Sequence, residues 1–268
     1  MKYTLAQLQK IEELYLQQYT AREIAILLNI NVGIIFKQIK KAGISRPISE
    51  AKRKYTINEN LFKNIDCYWK AYFLGWMYSD GNIYLGAKRN SASLCLSEKD
   101  KIVLDYFNNK IYNNLKPLNY RKSRYKKDTL YFCSPLYRLT IDSKIICNDL
   151  ILQGVLPNKS KIIESPLYLK EDFFPAFIQG VFEGDGCIKQ NRTIANKTIE
   201  ILSASKPFLI WLQKVLQNNY NIVMDIRNQT PTLYILKTSR KETIMQFKDL
   251  LYTNAEFKLK RKYEKFNY

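Results

Sequence analysis

Two stretches of the chain are copies of one another, and this repeat restricts the fold more than any other feature. Phe73-Leu74-Gly75-Trp76-Met77-Tyr78-Ser79-Asp80-Gly81 matches Ile178-Gln179-Gly180-Val181-Phe182-Glu183-Gly184-Asp185-Gly186, which places the two aspartates 105 positions apart. The parallel continues downstream. Asn82-Ile83 pairs with Cys187-Ile188, and strand-like alternation ends at Leu94-Cys95-Leu96-Ser97 in one copy and at Glu200-Ile201-Leu202-Ser203 in the other. Helical spacing follows in each copy (Ile102, Leu104, Phe107; Phe208, Leu212, Leu216), then strand-rich sequence (130–141; 222–236), then a helix containing Asp-Leu at Asp149-Leu150 and Asp249-Leu250. A period this long marks a duplicated unit. The order helix, two strands, helix, two strands, helix predicts an α+β fold of two pseudo-twofold-related αββαββα units, each an antiparallel sheet with helices on one face.

Each matched segment reads as an apolar helix ended by Asp-Gly, and Gly81 and Gly186 suit a left-handed cap. Asp80 and Asp185 then fall in the last turn, where the helix dipole disfavours a carboxylate by about 0.3–1 kcal/mol. An acid at the wrong end of a helix, twice, predicts that something positive binds it. Gly75 and Ser79 are four residues apart, as are Gly180 and Gly184, so each pair lies on one helix face. Small residues at this spacing let two backbones approach closely. If the helices cross along those faces, Asp80 and Asp185 meet, and a divalent cation resolves their repulsion. Mg2+ or Mn2+ suits oxygen ligands that share the ion with phosphate.

The paired segments resemble the LAGLIDADG, or dodecapeptide, motifs of homing endonucleases, and the repeated unit spans about Tyr68 to Lys265. The resemblance implies a monomeric two-motif enzyme in which Asp80 and Asp185 hold metal ions, assisted by the carbonyls of Ser79 and Gly184, beneath saddle-shaped sheets that grip DNA. It implies hydrolysis of one phosphodiester bond in each strand of a long, asymmetric double-stranded target. In such proteins a basic residue near the end of each unit orients water or stabilises charge; Lys159 and Lys262 hold those places here, with Lys260 an alternative to the latter. The first copy departs from the pattern at Trp76, Met77 and Tyr78, bulky residues expected to thicken the helix interface.

Composition agrees with this chemistry. The chain has no histidine, which excludes Ser-His-Asp and Cys-His triads and HExxH peptidases. A formal charge of +19, from 43 Lys and Arg against 24 Asp and Glu, points to a polyanionic partner, nucleic acid before anionic membrane. No stretch approaches a membrane span, and Met1 to Lys10 lacks a signal-peptide apolar run. An intracellular protein with no membrane partner is expected, in the cytoplasm of a bacterium or phage-infected cell or in an organelle. Cys67, Cys95, Cys133, Cys147 and Cys187 form no CxxC pair, so buried small hydrophobes are expected in place of zinc ligands.

Ahead of the repeat, residues 1–46 read as three helices. Leu5, Leu8, Ile11, Leu14 and Tyr15 recur at helical spacing; Thr20 and Glu23 make a capping box before Ile24, Ala25, Leu27 and Leu28; after a turn at 29–31 come Val32, Ile35, Phe36 and Ile39. The pattern resembles a helix-turn-helix unit, whose later helix enters the major groove, with Asn31, Gly33, Lys37, Lys40 and Lys41 as its outward residues. A basic linker is expected over 47–66, the first repeat unit over 67–165 and the second over 166–268. Arg46, Lys52, Arg53 and Lys54 could follow phosphates. On the strands, Lys88, Arg89, Arg121, Lys122, Arg124, Lys126, Lys189, Arg192 and Arg227 are the candidate DNA contacts. Two other functions fit the same surface: an intron-splicing maturase, with intron RNA as partner, and a DNA-binding regulator without catalysis.

Overall fold

The computed structural model describes residues 3–17, 19–46, 55–87, 89–125, 132–190 and 197–267. The chain divides into two compact units, 1–57 and 58–268. The basic linker expected over 47–66 therefore ends early. Phe62 and Ile65 are buried in the larger unit, Phe62 stacking on Phe73 at 4.8 Å, and the Ser143 hydroxyl donates to Glu59 at 2.6 Å.

The small unit is three helices, α1 (Leu5–Leu16), α2 (Ala21–Leu28) and α3 (Val32–Lys41). Thr4 and Thr20 form capping boxes with Gln7 and Glu23, which satisfies the first free amides of α1 and α2. Asn29 ends α2 with φ 50°, a left-handed conformation that asparagine tolerates, and the Asn31 side chain caps α3. Ile11, Leu14, Tyr15, Ala21, Ile24, Ile30, Ile35 and Ile39 make the core. Three apolar residues on the helical spacing stay outside that core: Leu5, Leu27 and Phe36 are on the surface, Phe36 with 58% of its area exposed. Helical spacing defines a stripe, and a small bundle is too thin to cover its edges.

The larger unit repeats one pattern. α4 (Tyr68–Ser79), β1 (Gly81–Leu85), β2 (Asn90–Ser97), α5 (Lys101–Tyr112), β3 (Asn119–Arg121), β4 (Arg124–Tyr125), β5 (Phe132–Cys133), β6 (Leu136–Ile141) and α6 (Lys144–Leu152) make the first copy. α7 (Phe174–Asp185), β7 (Gly186–Gln190), β8 (Lys197–Ser203), α8 (Lys206–Tyr220), β9 (Asp225–Thr230), β10 (Leu233–Thr238) and α9 (Lys241–Tyr252) make the second, and a short helix α10 (Lys260–Tyr263) follows. The two antiparallel sheets have orders β1-β2-β6-β3 and β7-β8-β10-β9, the same order under the repeat. The expected α+β fold with duplicated units is what the chain adopts. The first copy adds the separate β4–β5 pair between β3 and β6.

Strand alternation gives each sheet one apolar and one polar face. In the first, Ile83, Ala92, Leu94, Leu139 and Ile141 are buried, and in the second Ile188, Ile199, Ile201 and Leu236. α4 and α7 pack on each other more extensively than any other pair of helices. Among the described residues no helix is long and apolar enough to cross a membrane. The five cysteines are free; only Cys147 is buried, so the expected burial fails for the other four, which are half-exposed. Cys95 and Cys187 alternate onto the polar faces, opposite Arg138 and Glu200.

Candidate active site

The site begins with two glycines. A Cβ placed on Gly75 would lie 2.9 Å from Gly180 Cα and from Val181 N, and closer still to the Phe177 carbonyl oxygen. One placed on Gly180 would lie 3.0 Å from Gly75 Cα and Trp76 N. The backbones of α4 and α7 therefore touch at these residues, and any side chain there would drive them apart. One turn on, a Cβ at Gly184 would lie 2.6 Å from Ser79 Cβ and 2.9 Å from Asp80 Oδ2. The four small residues thus sit along the crossing. Trp76, Met77 and Tyr78 are all buried, and their bulk stands beside it: Tyr78 packs edge-on against Phe177 at 4.9 Å and donates to the Gln153 carbonyl at 2.8 Å.

The left-handed cap expected at Gly81 and Gly186 is not what the structure has. Gly186 is extended, with φ −81° and ψ 154°, and Gly81 is not among the residues with positive φ. Close approach explains both. A Cβ on Gly81 would meet Met77 Cα and O at 2.5 Å, and one on Gly186 would meet the ring and carbonyl of Phe182. Each helix hands over directly to a strand running back past its last turn.

Asp80 caps α4 and Asp185 is the last residue of α7. Both carboxylates are open to water on one side and surrounded by protein on the others. Asp185 is pushed up to about 7, first by burial and then by the negative charge of Asp80, against the pull of Lys159 and Lys262. Asp80 is raised by burial and by Asp100, and lowered by Lys159, the Ser79 hydroxyl and Lys262. The pair is close enough to interact, and Asp185 bears the repulsion.

Two buried lysines complete the arrangement, 7% and 6% exposed. Lys159 Nζ donates to the carbonyls of Ser79 at 3.0 Å and Gly81 at 2.7 Å; Lys262 Nζ donates to the Gly186 carbonyl. Each ammonium neutralises the negative end of a motif helix. Burial lowers the pKa of both, and Asp185 and Asp80 oppose the effect at Lys159. The Ser79 carbonyl, expected to assist a metal, is already engaged by a cation. Lys260 is exposed and pairs with Glu264 at 3.7 Å.

Sequence reasoning overlooked how Lys262 is held. Glu183 is fully buried and accepts hydrogen bonds from the Tyr72 hydroxyl, from Gln179 Nε2 at 3.1 Å and from the Leu259 amide at 3.1 Å. Leu259 opens α10, which carries Lys262. Gln179, also fully buried, receives the Tyr68 hydroxyl at 2.6 Å and donates to the Phe257 carbonyl at 2.8 Å. Polar residues within an apolar motif helix were the available signal, because burial obliges them to find partners.

The donor set fits a divalent oxygen-seeking cation: two interacting carboxylates whose repulsion it would relieve, in a chain without histidine. Among the described residues no cluster of three or more His, Cys, Asp or Glu is placed to hold a metal.

The expected nucleic-acid contacts fall into three groups. On α3, Lys37, Lys40 and Lys41 are exposed, and in the larger unit so are Arg89, Arg121, Lys122, Lys189 and Arg227; Arg124 lies on β4. Arg89 pairs with Asp142 at 2.7 Å and Lys189 with Glu200 at 2.5 Å. Arg46 is turned inward in the small unit, its guanidinium 4.0 Å from the Tyr15 ring and donating to the Tyr19 carbonyl at 2.7 Å. Lys52, Arg53, Lys54, Lys88, Lys126 and Arg192 lie outside the described residues. Arg138 was missed. It is exposed on β6 opposite Cys95 and Asn119, and lines one hollow with Arg89 and Arg121. Its polar place in the alternating run Leu136–Ile141 was a readable signal.

Fold and site together define a class: a tandem αββαββα protein whose paired acids meet where the two repeat helices cross. Residues 173–253, in the second copy, match the family described as LAGLIDADG-like domain. The homing endonuclease I-WcaI bound to its DNA recognition sequence shares the fold, with a TM-score of 0.54 and 16% identity over 85% of this chain and 92% of that one. The N-terminal LAGLIDADG domain of DUF199/WhiA aligns with a TM-score of 0.46 and 15% identity, over 82% of this chain and 97% of that one. I-DmoI in complex with DNA and Mn aligns at 0.44 and 18%, over 74% and 100%. No curated protein sequence matches the chain.

Proposed function

We propose that the protein is a metal-dependent, site-specific endonuclease that cuts both strands of a DNA duplex. The observation that carries this is the pair of carboxylates, Asp80 and Asp185, brought together at the helix crossing with a buried lysine beside each. Two adjacent acids weaken binding of a polyanion unless a cation sits between them and the phosphates. A protein that only bound nucleic acid would gain nothing from them. Asp80 and Asp185 would hold the divalent cation, which supplies a Lewis acid at a phosphoryl oxygen and water of lowered pKa. Lys159 and Lys262 fix the helix ends and place positive charge beside the phosphates. Arginines and lysines on the polar faces of the two sheets contact phosphates and base edges. The helices of the small unit act as a helix-turn-helix, with Lys37, Lys40 and Lys41 toward DNA. Because the two copies differ in sequence, one chain suffices and its target is asymmetric.

The test uses a supercoiled plasmid bearing the two DNA flanks of the gene joined without it. Wild type with Mg2+ should yield linear product. Asp80→Asn and Asp185→Asn should each lower the rate by about a thousandfold or more, with gel-shift affinity kept within a few-fold. Undiminished cutting by either variant, or by wild type in excess EDTA, rules the assignment out.

A further inference from the structure

The repeat makes the two halves of the site directly comparable, and they are not equal. Lys159 and Lys262 are equivalent, each donating to the carbonyl of the glycine that follows a motif aspartate. Immediately before them stand Asn158 in one copy and Arg261 in the other. The residue that caps the next helix is Asp100 for α5 and Ser205 for α8. These four residues pair across the repeat. Ser205 donates its hydroxyl to the Ile163 carbonyl at 2.5 Å, a neutral contact. Asp100 receives a two-pronged guanidinium, Arg261 Nε on Oδ1 at 2.5 Å and Nη2 on Oδ2 at 2.6 Å. One half of the site therefore contains an arginine–carboxylate pair, and the other half has no charge in the equivalent place.

The pair is oriented. Asp100 is the inner member, its side chain 11% exposed, while Arg261 is 41% exposed. The fork immobilises the guanidinium and uses two of its three nitrogens, leaving Nη1 for another acceptor. β2 lies opposite Gly81 at Leu94 and runs on past the start of β1 toward Asp100, so Asp100 and the guanidinium it holds lie at the Asp80 end of the first sheet; Arg261 feels the charge of Glu183 and then of Asp80. A phosphate approaching that acid meets the exposed cation ahead of the buried anion behind it.

We propose that Arg261 contacts the phosphate beside Asp80, that Asp100 holds it in position, and that the other cleavage position has no equivalent. The proposal rests on the endonuclease reading and adds a one-sided element to it. A phosphate contact at one position speeds one strand, whereas a staple between the two copies would affect both.

The experiment follows single-turnover cleavage by the full chain of a duplex bearing the joined flanks, each strand carrying a different 5′ dye. Arg261→Met should slow one strand by about tenfold or more and the other by less than about threefold, so that nicked duplex accumulates. Arg261→Lys should recover part of the lost rate. Asp100→Asn, which keeps the cation but loosens it, should slow the same strand by a smaller factor. Equal slowing of both strands, or no slowing of either, overturns the proposal. If Arg261→Met melts below the assay temperature, the strand ratio of Arg261→Lys decides, and a ratio identical to wild type overturns it. Wild type that cuts neither strand removes the endonuclease reading, and this proposal with it; wild type that cuts both while the variants lose both equally removes only the proposal.

Discussion

Gly75→Ala sets two well-characterised effects against each other. Alanine in a helix interior is favoured over glycine by about 1 kcal/mol, so on propensity alone the variant is more stable. The structure reverses the sign. The new methyl would sit 2.9 Å from Gly180 Cα and Val181 N, closer still to the Phe177 oxygen, and ordinary contact begins at 3.4 Å. All three are backbone atoms and cannot rotate away, so α7 must retreat by roughly half an ångström or more. Overpacking of a tight core costs about 1–3 kcal/mol, and a backbone-to-backbone contact belongs at the upper end. The net expectation is a loss of about 2 kcal/mol, or roughly 4–8 °C in melting temperature for a unit of this size. Moving α7 also shifts Asp185 relative to Asp80, and a misplacement approaching 1 Å costs about a hundredfold in rate. Circular-dichroism melting and single-turnover cleavage below the lowered melting temperature measure the two losses separately. A melting temperature unchanged or raised would refute the close crossing, and with it the reason the two acids meet.

Three further outcomes are expected. In metal-free protein Asp185 holds its proton up to about 7, through burial and then Asp80; its unfolded value is 3.8, so its contribution to stability is complete below pH 3.8 and is lost as pH rises through about 7. Mg2+ should therefore raise the melting temperature more at pH 8 than at pH 6, and Asp185→Asn should remove that difference; equal shifts at both pH values would contradict the electrostatics. Arg138→Gln should weaken binding on all DNA sequences and lower the slope of log affinity against log salt by about one, read by fluorescence anisotropy; an unchanged slope places Arg138 away from phosphate. Deleting residues 1–57 should weaken binding at moderate salt by removing a tethered second contact while leaving cleavage of saturated DNA, and unchanged affinity would exclude DNA contact by the small unit.

Much of the site was legible before any coordinates because duplication is visible in one dimension. Gly75, Ser79, Gly180 and Gly184, with an Asp-Gly after each pair, announced two helices needing close approach and an acid at the end of each. Alternation marked the strands, and Thr20-x-x-Glu23 marked a helix start. The errors have a common origin. Gly81 and Gly186 read as left-handed caps because local sequence offers only local reasons for a glycine, whereas their reason is the backbone of Met77 and the ring of Phe182 in the preceding turn. Phe36 keeps the helical spacing yet lies on the surface, because periodicity gives a direction and not a depth. The roles of Glu183 and Asp100 were not legible because their partners, Leu259 and Arg261, are 76 and 161 positions away.

The amino-acid sequence by itself determined the twofold repeat, the α+β order of elements, the two aspartates and the basic, histidine-free chemistry, since each is written in spacing and residue type. Tertiary structure alone decided between Lys262 and Lys260 at the second helix end, that Glu183 holds the segment carrying Lys262, and that an arginine–carboxylate pair forms on only one side of the repeat. Those depend on groups distant along the chain reaching hydrogen-bonding distance, and only the packing of the two copies on each other brings them there.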